Sequence, residues 1–376
     1  MIERPSIAIV GAGPAGLTAA NVLDRSGWRF EVFEVEQSIG ARDQGGSLDL
    51  HPQEGQLALE KAGLLDAFFA VARHEDQEQR VYDYRTAHLI REIIPEPGKG
   101  DRPEIDRLLL RTLLLELLPE GSVRWNAPIN KVQAQPDGRY MLHSATGVMG
   151  PFDLVIGADG AYSKVRAALT DVRPNDTGVA FAELWLSDVD RLHPDHSALV
   201  GHGMMISLHD GAGIIAQRNG NETIRVYAAF RTTPGEGGWP TVSLSNVTKD
   251  TLRARFAGWA PSLVSLITDA DAIVAVRPVV SLPPGLRWPQ RDGLTLVGDA
   301  AHVMPPLGVG VNLAMLDAAE LAEALIGSVD WRQAVREYEK VMLDRAERIS
   351  VHCNAAFDEM YSEAGAQAVI DNLDGR

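Results

Sequence analysis

Three glycines at short fixed spacing, Gly11, Gly13 and Gly16, form a GxGxxG run. It follows the β-branched stretch "SIAIV" and precedes the helical stretch "LTAANVLDRSG". The first glycine permits a tight turn, and the second lets a pyrophosphate approach the backbone. The third lets helix and strand pack closely, with the helix N-terminus facing the phosphates. Ala15 belongs to the same turn. Glu34 ends the next apolar run, "RFEVFE", 18 residues after Gly16, where an acidic side chain can accept both hydroxyls of a ribose. A 2′-phosphate would be repelled there, so the pattern points to tightly held FAD or NAD rather than NADP. A second such pattern, "GAGIIA" at 211–216, lies between alternating stretches with no helix behind it and reads as a hairpin.

Other residues are placed for chemistry less directly. "VGDAAHVMPPLGVGVNLAMLDAAEL" (297–321) runs an apolar strand into Gly298 and Asp299, then through prolines and glycines to a helix start. "GADGAYSKVR" (157–166) sets Asp159 and Gly160 at the end of another strand, with Ser163 as a helix cap; a β-turn with no ligand fits it equally well. "GGSLDLH" (45–51) carries Asp49, and "PEIDR" (103–107) carries Arg107. Arg107 opens an apolar helix, where a cation opposes the helix dipole, so a phosphate partner would account for it. His302 has no second histidine at ligand spacing, and neither HExxH nor GxSxG occurs. It is expected to be a hydrogen-bonded loop residue; no metal site and no catalytic side chain is assigned.

The elements that must position these residues follow from periodicity. Strand, glycine turn, helix and strand over the first residues make a parallel, doubly wound unit. A leucine-rich helix begins at Asp106, read as its N-cap. Residues 122–144 alternate as a meander or hairpin, and "FDLVIGADGAYSKVRAAL" returns to strand, turn and helix. From about Thr177 to Val276 the pattern becomes mainly β, apart from the helix in "TKDTLRARFAGWA". A last buried strand precedes "GDAAH", and a long amphipathic C-terminal helix buries Val335, Tyr338, Val341 and Met342.

The fold class is therefore α/β: a Rossmann-type dinucleotide-binding domain, a mainly β substrate domain, and a long C-terminal helix. The first domain is discontinuous, 1–176 with 277–330, and part of 78–100 can join the other sheet. The β domain is 177–276, and 331–376 bridges the lobes.

Composition narrows the function. With 376 residues, 45% apolar and 23% charged, the chain can bury two cores. Its formal charge of −16 works against a nucleic-acid or anionic-membrane partner. The single cysteine, Cys353, excludes an internal disulfide and reads as a small helix residue in a reducing compartment. No apolar run is long enough for a membrane span, so a cytoplasmic protein is expected.

Taken in order, "GAGPAG", Glu34, "GADGAYSKVR" and "GDAAHVMPPLGVGVN" resemble the flavoprotein monooxygenases of the para-hydroxybenzoate hydroxylase type over essentially the whole chain. "GGSLDLH", "PEIDR" and "GDAAHVMPP" look like the tetracycline-inactivating branch. The resemblance implies that Gly11, Gly13, Ala15 and Gly16 hold the FAD pyrophosphate. Glu34 and Arg42 would serve the adenosine side, Arg107 the phosphate or ribityl region, and Asp49 a place beside the flavin. Asp159 and Gly160 would serve FAD and the nicotinamide cofactor, and Asp299 the ribityl chain. Pro306, Gly308, Gly310, Val311 and Asn312 would line the isoalloxazine, with the helix from Val311 favouring a reduced anionic flavin. Glu183, Arg225 and Pro306 would meet the substrate. The implied reaction uses NADPH or NADH and O₂, through a flavin C4a-hydroperoxide, to hydroxylate an aromatic or polyketide-like, tetracycline-type substrate. A monomer is expected.

The chain departs from that pattern in three places. "PPLGVGVN" is one residue shorter than usual and has Val309 where relatives carry a polar side chain. Val35 replaces a cation beside Glu34. Glu183 and Arg225 stand where the tetracycline-inactivating relatives use Gln and His. Alternatives are a non-catalytic flavin- or ligand-binding protein, or a flavin oxidase or halogenase, although no WxWxIP segment occurs.

Overall fold

The computed structural model describes residues 4–42, 45–96, 98–232 and 244–375. Its first sheet is parallel, in the order Leu294–Leu296, Leu154–Gly157, Ile7–Val10, Phe30–Phe33, Val123–Arg124. All four residues of Ile7–Val10 are buried, as a strand covered on both faces requires. The helices Pro14–Arg25 and Gly310–Gly327 pack together. Pro14 suits the first helical position, where its missing N–H costs nothing. Val123–Arg124 joins this sheet beside Phe30–Phe33 rather than the meander expected of it. The meander comprises Ile129–Ala134, Tyr140–Ser144 and Gly147–Phe152.

The second sheet has seven strands: Ala272–Ser281, Asn175–Leu186, Thr223–Arg231, Ala212–Asn219, Gly203–His209, Glu78–Tyr82 and Leu89–Ile93. Period-two alternation divides its faces. Ile224, Val226, Ala228 and Phe230 pack with Leu252, Phe256, Leu263 and Ile267 from the outer helices Lys249–Arg255 and Pro261–Thr268. Arg225, Tyr227 and Ala229 point to the other side. "GAGIIA" forms a hairpin with Gly203–His209, as its sequence context required.

The C-terminal helix runs Trp331–Met360, followed by Ala366–Asp374. Trp331, Val335, Tyr338 and Met342 enter the core under the first sheet, whereas Phe357 packs on the second. Val341 does not share that stripe and is 58% exposed. At about 100° per residue it lies a quarter turn from Met342, and the stripe continues through Ala346 instead. Two further expectations fail locally. No α-helix follows "GADG", where only the 3₁₀ turn Arg166–Ala168 forms. Asp106 precedes the helix Arg107–Glu116 but does not cap it, because its carboxylate is taken by Arg73 at 2.8 Å and by the Gly220 N–H at 3.2 Å.

Candidate active site

The GxGxxG turn is built for close approach on one side and openness on the other. Gly11 has φ +107°, and a Cβ there would strike the Ala158 carbonyl; at Gly16 it would strike the Gly11 carbonyl. Gly13 has nothing within 4 Å of a Cβ position, so the backbone at the helix N-terminus stands clear for a large anion. Glu34 is buried just after Phe30–Phe33. Its carboxylate accepts from the Ala12 N–H at 2.7 Å and from the Glu36 N–H at 3.0 Å. Arg111, fully buried, joins this group: it donates to the Ala12 carbonyl at 2.7 Å and to Glu36 at 2.5 Å, and lies 3.3 Å from Glu34. Burial works against charge on Glu36, but Arg111 and then Arg42 outweigh it and hold the carboxyl below its usual range. Arg111 thus places a buried cation beside Glu34, next to which the sequence has Val35. Periodicity alone assigned Arg111 to a helix and gave no sign of this contact.

The second constellation joins segments far apart in the chain. Ser47–Asp49 pairs antiparallel with Glu104–Asp106, bringing "GGSLDLH" and "PEIDR" together. Asn312, buried at the start of Gly310–Gly327, clamps this ribbon. Its Nδ2 donates to the Asp49 carbonyl at 2.9 Å and the Gly308 carbonyl at 3.2 Å, and its Oδ1 accepts from the His51 N–H at 2.8 Å. The Asp49 carboxylate lies 3.0 Å from His51 Nε2. Gly298 has φ +58°, and a Cβ on it would press on Ala314, so glycine alone lets the strand turn into Asp299–His302 against the long helix. Asp299 and Pro306 are exposed. Gly310 has open space where a side chain would be, and Gly308 lies beside Asp49. Arg107 is exposed at the first turn of its helix.

Facing this ribbon is the inner side of the seven-stranded sheet. Register places Glu183 opposite Tyr227 and Trp185 opposite Arg225, with Gln217 opposite Arg225 on the other flank. Arg225 is 1% exposed, 3.5 Å from Glu183, and its guanidinium lies 5.1 Å from the Trp185 ring centroid. The Tyr227 hydroxyl lies close to Gly46, and Gln217 and Asn219 approach the same glycine. Glu104 bridges the two surfaces. It is buried, accepts from Ser47, and receives the Gln217 amide at 3.2 Å. Burial, and then the neighbouring Asp49 carboxylate, push Glu104 up to about 8, so it is neutral at pH 7. Tyr227, Gln217 and Glu104 were not singled out by motif, because their value lies in where two sheets meet.

Some expected residues serve their own loops. Asp159 turns back to accept from Ser163 at 2.5 Å and from the Lys164 N–H at 2.6 Å, and burial raises its pKa. Ser163 in turn accepts from the Arg166 N–H at 2.8 Å but does not cap the turn, whose N-cap is Val165. Gly160 has φ +77° with open space around it. Arg166, buried, donates to the Ala161 carbonyl at 2.5 Å and the Ala300 carbonyl at 2.8 Å, tying "GADG" to "GDAA". Arg42 pairs with Glu36 at the surface. His302 closes a short helix rather than lying in a loop. Its Nε2 is 2.5 Å from Asp317, whose other oxygen meets Arg345 at 2.9 Å. Burial opposes the His302 charge, but Asp317 prevails and raises its pKa.

A family model described as FAD binding domain matches residues 4–349. The monooxygenase penA of Penicillium thymicola is 30% identical, covering 98% of both chains. This chain belongs to the class A flavoprotein monooxygenases. The 3-amino-4-hydroxybenzoate 2-monooxygenase PtmB3 of Streptomyces platensis is 30% identical over 97% of this monooxygenase and 91% of its own length. Klebsiella pneumoniae HpxO, complexed with FAD and uric acid, superposes with TM-score 0.80 at 20% identity over 98% of this chain and 92% of its own. Tetracycline destructase Tet(51) gives TM-score 0.72 at 20% identity over 97% and 94%; these two likenesses are likenesses of fold. FAD is the cofactor of this monooxygenase, and the residues present fit it. Gly13 leaves room at a helix N-terminus, Glu34 is seated at the end of the second strand, Asp299 is exposed, Gly310 has open space where a side chain would be, and Gly308 lies beside Asp49 of the ribbon. Among the described residues no helix is long and apolar enough to cross a membrane.

Proposed function

We propose that this FAD-dependent aromatic monooxygenase takes electrons from NADPH or NADH and hydroxylates a compact aromatic or polyketide-like substrate held between the ribbon and the inner sheet face. The observation that carries this reading is the convergence of the "GGSLDLH" ribbon, the 306–312 loop and a polar, aromatic sheet face on one seam. Residues 1–176 and 277–330 are the FAD-binding unit, apart from the strands Glu78–Tyr82 and Leu89–Ile93 that join the substrate sheet, 177–276 the substrate unit, and 331–376 the bridge between them. Gly11, Gly13, Ala15 and Gly16 would take the pyrophosphate, Glu34 the ribose hydroxyls, Arg107 a phosphate, and Asp299 the ribityl chain.

FAD, when bound, supplies the redox chemistry that activates O₂. The chain's own residues orient the reactants and exclude water. Asn312 fixes the ribbon to the loop, which sets where Asp49 and Gly308 lie. Arg225, stacked near Trp185, offers buried cationic donors to a phenolate, carboxylate or enolate oxygen, and Glu183 accepts from a substrate hydroxyl or amine. Trp185 and Tyr227 supply flat apolar surface. Neutral Glu104 adds no charge to the seam and leaves the substrate's own anion free to pair with Arg225. A tetracycline-type substrate is the weaker reading, because Glu183 and Arg225 replace the amide and imidazole of that branch.

The test is spectral and kinetic. Purified protein should be yellow, and a phenolic or aminobenzoate substrate should stimulate NAD(P)H oxidation with O₂ uptake and an oxygenated product. Aromatic binding with no stimulated oxidation would identify a sequestering protein instead. Arg225→Met should raise KM for an anionic substrate far more than it lowers flavin content.

A further inference from the structure

On the face of the seven-stranded sheet opposite the ribbon, two histidines and an aspartate converge. The segment "LHPDH" passes from the short helix Val189–Leu192 into Pro194–Val200. His193 is the N-cap of the second helix, with φ −134° and ψ 54°, and Pro194 holds the helix start. This geometry lays the His193 and His196 rings face to face, with centroids 5.4 Å apart and planes inclined by 16°. Asp269 arrives from the end of Pro261–Thr268, and its Oδ2 is 3.0 Å from His196 Nε2. One donor atom from each of the three lies within 4.8 Å of the others.

The supports are packed together and lie apart from the ribbon. Val189 and Val200 on one side, and Leu263, Leu266 and Ile267 on the other, belong to one buried core, so packed backbone sets the separation. His196 is buried whereas the Asp269 side chain is 45% exposed, which leaves a path from solvent. Tetrahedral bonds of about 2.1 Å put donor atoms roughly 3.4 Å apart, so His193 and Asp269 need only small side-chain rotations to close on an ion. Hydrogen bonding alone explains the His196–Asp269 contact but not the second imidazole stacked beside it.

We propose that His193, His196 and Asp269 form a binding site for a Zn²⁺-class divalent ion, clamping the helices at 189–200 to the helix at 261–268. Two imidazoles and one carboxylate suit Zn²⁺ and its neighbours Ni²⁺ and Cu²⁺. Mg²⁺ and Ca²⁺ prefer sets of oxygen ligands. Remaining coordination positions face solvent and take water. The ion stabilises the outer layer of the sheet by binding only the folded state and takes no part in hydroxylation.

The test uses the FAD-loaded full-length protein, stripped of metal with chelator and titrated with ZnCl₂. Calorimetry should give one saturable Zn²⁺ per chain and a raised melting temperature, with millimolar MgCl₂ producing neither. His193→Ala keeps the His196–Asp269 contact and should fold normally while weakening Zn²⁺ binding roughly a hundredfold; Asp269→Asn should weaken it less. Turnover at saturating substrate should stay unchanged in His193→Ala. With CuSO₄ as probe, electron paramagnetic resonance should report two nitrogen ligands in the parent and one in His193→Ala. Lack of saturation at about 100 μM ZnCl₂, an affinity far below that of known zinc sites, would overturn the proposal. So would unchanged affinity in His193→Ala, since the chain has 10 histidines that could bind adventitiously.

Discussion

Replacing Glu104 by Gln should make the protein more stable in alkaline buffer, because the folded chain holds a proton there that the unfolded chain does not. Below pH 4.5 the carboxyl is protonated in both states and affects nothing. Between 4.5 and about 8 the unfolded chain has lost the proton while burial keeps it on the folded one, so stability falls as pH rises. It levels off above the folded-state value. At about 1.4 kcal/mol for each tenfold change in proton affinity, the full penalty comes to about 5 kcal/mol, and about 3 kcal/mol of it accrues between pH 5.5 and 8. A carboxamide in place of the carboxyl would retain hydrogen bonds to Ser47 and Gln217 without the charge. The assay is urea unfolding of parent and Glu104→Gln with saturating FAD, followed by tryptophan fluorescence at pH 5.5, 7 and 8. Pairing the curves cancels the pH dependence of every other group. The gap between variant and parent should widen with pH; parallel curves, agreeing to within about 1 kcal/mol, would refute a neutral buried Glu104.

Four other outcomes follow from the geometry. Asp299→Ala should release FAD or spoil its reduction, and an unchanged 450 nm band with full turnover would contradict the role at the ribityl chain proposed for it. Arg107→Ala should weaken FAD by about 2 kcal/mol, the size of a charge-assisted hydrogen bond; titrating apoprotein with FAD at two salt concentrations checks it. Gly13→Val should abolish FAD binding with little loss of fold, since its Cβ meets open space, and tight FAD retention would remove the pyrophosphate from that turn. Asp317→Asn leaves His302 and Arg345 without their shared carboxylate and should cost about 3–5 kcal/mol of stability, measured as a lowered urea midpoint.

The glycine turn at 11–16 was readable because most of its requirements are local. Gly16 must lack a side chain because a Cβ would strike the Gly11 carbonyl of the same strand-turn-helix unit, Gly11 takes a φ of +107° that favours glycine, and Gly13 keeps the unit open, although the Ala158 carbonyl that also crowds Gly11 comes from a distant part of the chain. The hairpin at Gly211 was readable for the same reason, whereas the short helix Asp299–His302 that follows Gly298 was not expected. Errors arose where a local preference met a distant partner. Asp106 has the right type and position for a helix cap, yet Arg73 and the Gly220 N–H claim its carboxylate. Val341 fits an apolar stripe on paper, but the direction from which the first core approaches the helix leaves it in solvent.

What the chain order alone determined was the inventory: a glycine turn between strand and helix, an acidic residue just after the next strand, a carboxylate after a late strand, and a β-rich middle. These depend on steric rules and hydrophobic period acting over a few residues. Only the tertiary structure decided that Arg111 reaches Glu36, that Asn312 clamps Asp49, that Glu104 meets Gln217 across two sheets, and that His196 meets Asp269. Such pairings rest on strand register and helix packing across scores or hundreds of positions. Burial, which raises proton affinity at Glu104, and the Asp317 contact, which raises it at His302 against burial, exist only once those layers have closed.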